Sequence, residues 1–188
     1  AGNSGFDDAL LDLAFTAACE DKHWKLLIQG LEPLVKPGDF SYYRDIILDI
    51  YRKQLGDEKS YLKGRKKALS YGNDYLDLAE YWTERGKKAE AVSIAEEGLR
   101  KGKGRLTGLR EFLKSAYKSE GKEENFLEMK ILLWEERPML KGYKEIKDIS
   151  SPKEWPDIEK RMRETIYNER IDNPEKIGRA SCRERVYC

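Results

Sequence analysis

Apolar residues recur every three to four positions along most of this chain, with polar residues between them. That period belongs to the α-helix, where about 3.6 residues per turn bring such positions onto one face. "FDDALLDLAFTAACE" places Leu10, Leu11, Ala14, Phe15 and Ala18 on a first stripe. "HWKLLIQGLEPLV" follows after a polar turn, and "KPGD" closes it. Asp39 is the predicted N-cap of "FSYYRDIILDIYRKQL", striped by Tyr43, Ile46, Ile47, Ile50 and Tyr51. "DEKSYLKGRKKALSY" is its partner helix. "DYLDLAEYWTER" carries Tyr75, Leu78, Ala79 and Trp82, and "KAEAVSIAEEGLRK" carries Ala89, Val92, Ala95 and Leu99. "RLTGLREFLKSAYKSE" shows Leu106, Leu109, Leu113, Ala116 and Tyr117, and "KEENFLEMKILLWEE" shows Phe126, Met129, Leu133 and Trp134. "MLKGYKEIKDI" and "EWPDIEKRMRETIYNE" close the series.

The helices are predicted to come in pairs, at about 6–36, 39–71, 73–101, 105–137 and 139–170. Gly56, Gly86 and Gly121 each end a first helix in "LGDEKSYL", "RGKKAEAV" and "EGKEENFL" and precede a turn of four residues. Glycine suits a chain that leaves a helix through a left-handed residue. The glycines are 30 and 35 residues apart, a spacing found in helix-turn-helix repeats. The first pair departs from the pattern, with Asp21 near the glycine position and Trp24 where Ala89 and Glu124 stand. No pair can bury its stripe alone, so stacking must supply the core. The expected fold is an all-α domain over residues 1–172. It is built as a superhelix of about five antiparallel helical pairs, with an irregular helical bundle as the other reading.

The pattern resembles a tetratricopeptide-type array. Trp82, Gly86, Ala89 and Ala95 match its residue types, while its proline after the second helix is absent at "GKG". A narrower resemblance spans Tyr75 to Arg163 and points to the helical C-terminal region of prokaryotic SWIM-type zinc finger proteins. It rests on Trp134, Glu135, Glu136, Pro138, Leu140, Tyr143, Ile146, Lys147 and Trp155. That family's zinc motif, Cys-x-Cys followed by Cys-x-His, does not occur in this chain. The resemblance therefore implies a finger upstream of Ala1, and no residue here inherits zinc or DNA binding. It implies a non-enzymatic scaffold for a protein or peptide partner, with nucleic acid reached through the full-length protein.

Composition fits a charged helical domain: 188 residues, 38% charged and 39% apolar, with a mean hydropathy of -0.79. No run approaches the ~20 apolar residues of a membrane helix, so no membrane association is expected. "ALLDLAFTAAC" is broken by Asp12, preceded by Asp7 and Asp8, and has no basic leader, which argues against a secretory signal. The chain opens on "AGNSGFDD" without methionine, as a processed chain or a fragment of a longer protein would.

The last stretch, "KIGRASCRERVYC", holds Cys182 and Cys188. From Ile177 to Val186 it resembles one translated frame of a common sequencing adapter, so residues 173–188 are expected to be a non-native, disordered tail. Cys182 and Cys188 have no histidine nearby to complete a zinc site, and Cys188 ends the chain too early for a prenylation box. A basic nucleic-acid arm is the alternative for this stretch. Without Lys176–Cys188 the chain has 32 basic and 34 acidic side chains, a net charge of -2. Cys19 is then the only cysteine, expected as a small core residue in a reducing, cytoplasmic setting.

Candidate chemistry is sparse. His23 is the only histidine, so no histidine pair can form within the chain, and it is expected to be a partly exposed helix residue. "GKGR" lacks phosphate-loop spacing, and no nucleophile motif occurs. No enzyme activity, cofactor or metal is expected of these residues. An enzyme or a regulatory subunit remains the third class, to be recognised by a catalytic domain in the same reading frame. Two basic clusters stand out: Lys63, Arg65, Lys66 and Lys67, and Arg100, Lys101, Lys103 and Arg105. Both read as solvated faces at helix C-termini; Lys66, Lys67, Lys101 and Lys103 are the candidates for phosphates or an acidic partner. Tyr42, Tyr81 and Tyr167 lie off the stripes. Exposed aromatics such as Tyr81 are expected to line a peptide groove with Arg110 and Lys114.

Overall fold

The computed structural model of the chain describes residues 4–35 and 42–172. Its elements are α1 (Ser4–Ala17), α2 (Asp21–Leu31) with a 3-10 turn at Glu32–Leu34, and α3 (Tyr42–Asp49), which runs on as a π-helical turn at Ile50–Gln54. Then come α4 (Glu58–Lys67), α5 (Gly72–Glu84), α6 (Lys88–Lys101), α7 (Thr107–Glu120), α8 (Glu123–Glu136), α9 (Leu140–Ile149) and α10 (Trp155–Asp172). The described residues are thus all-helical, in the order the periodicity predicts. The one extended feature among them is an isolated parallel bridge between Tyr71 and Lys103. The "KPGD" turn with its Asp39 cap and the tail from Lys176 to Cys188 lie outside the described residues.

Three turns share a left-handed glycine. Gly56, Gly86 and Gly121 have φ of 61°, 73° and 69°. Gly86 N–H bonds Thr83 O at 2.9 Å and Lys87 N–H bonds Trp82 O at 2.9 Å. Gly121 N–H bonds Lys118 O at 3.4 Å and Lys122 N–H bonds Tyr117 O at 3.0 Å. These paired bonds satisfy the last helical carbonyls in the Schellman pattern. The lysine after Gly86 and after Gly121 then returns over the aromatic four residues before that glycine. Lys87 Nζ lies 4.7 Å from the Trp82 ring centroid and Lys122 Nζ 5.7 Å from that of Tyr117. At Gly56 the π turn adds one residue, and Asp57 N–H reaches Tyr51 O at 2.8 Å instead. The following helices start two residues after each glycine, at Glu58, Lys88 and Glu123, so the turns are shorter than the four residues expected. The reason is local: Lys87 O and Lys122 O already accept the first helical bonds, from Ala91 and Phe126 at 3.1 and 2.9 Å.

Packing passes from one set of neighbours to the next. Trp24, Ile28 and Leu31 of α2 meet Ile47 and Ile50. Leu48, Tyr61, Leu78 and Tyr81 join α3, α4 and α5. The largest cluster joins α5 to α8 through Tyr75, Ala79, Val92, Ala95, Leu109, Leu113, Tyr117 and Met129. Ile131, Trp134, Ile146 and Met162 join α8, α9 and α10. Tyr51 touches the first two clusters, and Leu69 and Ile94 touch the second and third, so the core is a relay. Close crossings need small residues. A Cβ on Gly98 would lie 2.5 Å from Tyr75 Cβ and 2.7 Å from Leu109 Cδ1.

Several stripe assignments change. Leu10 is 51% exposed, because among the described residues α1 packs on one side only, through Leu11, Phe15 and the following Ala18. Cys19 is exposed rather than in the core, since α1 ends at Ala17 and Cys19 falls in the turn. Ala89 is exposed in the first turn of α6, where Ala91 and Val92 take the inner face. His23 is half-buried, and its Nδ1 accepts the Cys19 N–H at 3.3 Å.

Candidate functional site

The sequence grouped Arg65 with solvated lysines; the structure buries it between α3, α4 and α5. Its guanidinium donates to Asp74 at 3.0 Å and Asp45 at 3.2 Å, and stands 2.9 Å from Asp77. The other Asp74 oxygen accepts the Ser70 and Tyr71 N–H groups at 3.1 and 2.8 Å, which ties the start of α5 to the same cluster. Asp77 accepts the Tyr61 hydroxyl at 2.7 Å and Arg52 at 2.9 Å. Burial alone would lower the Arg65 pKa; the carboxylates of Asp77, Asp45 and Asp74 outweigh it and keep the charge fixed. Burial, then the bond to Asp77, pushes the Tyr61 phenol well up. All three carboxylates are held by guanidinium groups, so the cluster acts as a lock between helices.

A separate groove of about 570 Å³ opens between α5 and α7, with the start of α6 at one end. Leu76, Ala91, Val92, Phe112 and Ala116 form its apolar lining. Small residues keep it open: Thr83 on α5, and Gly108, Ser115 and Ser119 on α7. Thr83 and Ser115 turn their hydroxyls onto the Ala79 and Glu111 carbonyls at 2.9 and 3.0 Å, leaving methyl and methylene surface to the groove. Glu80, Glu111 and Glu120 stand on the rim with Lys88. A larger cleft, about 930 Å³, lies beside α8 and α10. Arg161 reaches across it to Glu135 at 2.7 Å and Glu128 at 2.9 Å, so an internal salt bridge occupies its wall.

The sequence-predicted groove residues each miss this groove by one helical position. Tyr81 is fully buried, with its ring 4.8 Å from Tyr61 and the Arg85 guanidinium 3.6 Å above it. Its neighbour Glu80 lines the groove instead. Arg110 pairs with Glu136 of α8, while the adjacent Glu111 faces the groove. Lys114 pairs with Glu111, and the adjacent Ser115 is the lining residue. One residue is about 100° around a helix, enough to change the face. The overlooked signal was the run of small residues at helical spacing around Phe112.

The basic candidates fall on two segments whose loops touch at Tyr71 and Lys103. Lys66 and Lys67 are exposed on the last turn of α4, and Lys101 on the last turn of α6, paired with Glu97 at 2.8 Å. Lys103 is exposed in the loop before α7. Among the described residues no group of three His, Cys, Asp or Glu side chains is arranged to hold a metal ion, and no helix is long and apolar enough to cross a membrane. Compared with known proteins, the chain matches no family model, no curated protein and no solved structure.

Proposed function

We propose that this chain is a non-enzymatic interaction module, a tetratricopeptide-like superhelix of helical pairs that holds a partner's peptide segment in the α5–α7 groove. The observation that carries this reading is the open apolar lining from Leu76 to Ala116, walled by residues too small to close it. The two helices beside the groove each end in the same glycine-lysine turn, as repeat units do. Glu80, Glu111 and Glu120 on the rim favour a segment with apolar anchors flanked by Lys or Arg.

Selection from a displayed peptide library should return such segments. Thr83→Arg with Ser115→Arg fills the groove from exposed wall positions and should weaken the selected peptides about tenfold or more, with an unchanged circular dichroism spectrum. Equal binding by the double variant would refute the groove assignment.

We further propose the C-terminal helical part of a SWIM-type zinc finger protein, acting in the cytoplasm. Several of the residues that carry the resemblance hold the last helices together. Trp134 Nε1 bonds Met139 O at 2.8 Å, Glu135 holds Arg161, and Glu136 takes Thr107 at 2.6 Å. Tyr143 packs edge-on to Trp155 with ring centroids 5.3 Å apart, and Ile146 is buried against Trp134. Gene sequence encoding a Cys-x-Cys…Cys-x-His segment upstream of Ala1 is the expected finding.

A further inference from the structure

The two basic clusters are about 35 residues apart in the sequence, yet the fold joins them. Lys103 N–H donates to Ser70 O at 2.8 Å, and Gly72 N–H donates to Lys103 O at 3.0 Å. The loop after α4 and the loop after α6 therefore run side by side as a two-stranded seam. Glycine makes the approach possible. A Cβ on Gly72 would stand 2.5 Å from Arg105 O, and one on Gly102 would stand 3.2 Å from Gly72 N. We propose that this seam is a binding edge for the phosphate backbone of double-stranded nucleic acid, independent of sequence. It is a second site, distinct from the α5–α7 groove, and does not rest on the peptide reading.

Charge is the first support. Segments 66–72 and 97–106 carry six cations, Lys66, Lys67, Arg100, Lys101, Lys103 and Arg105, against a single carboxylate, Glu97. All six cations are exposed, and Lys66, Lys67, Arg100 and Arg105 have no ion pair among the described residues. This concentration stands out in a body whose net charge, apart from Lys176–Cys188, is -2. The helix ends favour this charge, since the C-termini of α4 and α6 present negative dipole ends near Lys66, Lys67, Arg100 and Lys101.

The absence of apolar surface selects the partner. None of the large exposed hydrophobic side chains among the described residues lies in these two segments. Protein interfaces and membrane-inserting surfaces both need an apolar centre, which this edge lacks. A phosphate backbone needs only cations, because the affinity comes from released counterions. The two segments contain one aromatic residue, Tyr71, whose ring packs against Gly104. That leaves no stacking platform for a single strand. A duplex offers one charge per ~1.7 Å against ~3.4 Å for a single strand, so charge alone favours the duplex.

The test is fluorescence anisotropy of the full chain with a short labelled DNA duplex across a series of salt concentrations. Six phosphate contacts predict a log–log salt slope of about -5, at about -0.9 per contact. The variant K66E/K67E/K101E/K103E should lose detectable binding at physiological salt while keeping its circular dichroism spectrum. The intermediate K66E/K67E should reduce the slope by about 2 units. Lys25→Glu with Lys160→Glu, exposed and outside the seam, should leave binding and slope unchanged. No binding by the unaltered chain at low salt would overturn the proposal, as would undiminished binding by the fourfold variant or equal loss in the Lys25/Lys160 control. Tighter binding to polyglutamate, to anionic vesicles or to a single strand than to the duplex would overturn it equally.

Discussion

At the scale of single residues, Asp74 carries more structural load than its position on a short helix suggests. One oxygen holds the buried Arg65, and the other caps two backbone N–H groups at the start of α5. Losing Asp74 takes one of three carboxylates from the buried Arg65, leaving Asp45 and Asp77, and deprives two backbone N–H groups of their acceptor. Asp74→Ala should therefore cost about 3–5 kcal/mol in urea unfolding. Lys53→Ala removes an exposed pair with Asp49 on the same helix and should cost less than about 0.5 kcal/mol. Similar losses for the two variants would show that the Arg65 cluster is not a lock. The phenols follow the same local logic. Burial and the bond to Glu96 raise the Tyr117 pKa, so this ring stays a hydrogen-bond donor at neutral pH.

At the scale of elements, the glycine-ended turn is the repeated unit, and its backbone rather than its packing demands glycine. Apart from the adjoining residues, no atom lies within 4 Å of where a Cβ on Gly86 or Gly121 would stand, so crowding by the rest of the fold is not the issue. The positive φ is. Gly86→Ala and Gly121→Ala should each lower stability by about 1–2 kcal/mol. Gly30 provides the contrast, with equally open space inside α2 and an ordinary helical backbone. Gly30→Ala should raise stability by about 0.5–1 kcal/mol. Thermal melts of the three variants read both signs, and a stabilising Gly86→Ala would contradict the turn assignment. The π-helical turn before Gly56 shows how one inserted residue is absorbed, by lengthening the bond to Tyr51 O across one further residue.

At the scale of the whole molecule, a relay of small cores makes stability uneven along the chain. The cluster from Tyr75 to Met129 draws on four helices. At the N-terminal end, α1 leaves Leu10 and Leu13 in solvent. Hydrogen exchange should protect α5–α7 amides longest and α1 amides least, because local opening is easiest where least apolar surface is buried. Uniform protection along the chain would indicate a single cooperative core instead. The groove and the seam lie on different residues of this body, so a variant at one leaves the lining of the other intact.

Periodicity and punctuation were enough to determine helix type, order and approximate limits, because the 3.6-residue period and the left-handed glycine are local properties of the chain. The same local information located the basic clusters as helix ends. It did not separate Arg65 from Lys66 and Lys67, since burial of that guanidinium depends on Asp45, Asp74 and Asp77 arriving from other helices. Nor did it find the groove lining, because α5 and α7 each pack on neighbours on both sides and the free face is whatever those neighbours leave. Tyr81 shows the consequence: off the main stripe in sequence, it lies at the centre of a second interface. The joining of two distant basic loops was likewise settled only by tertiary structure, through backbone bonds between Ser70, Gly72 and Lys103 that no periodic pattern encodes.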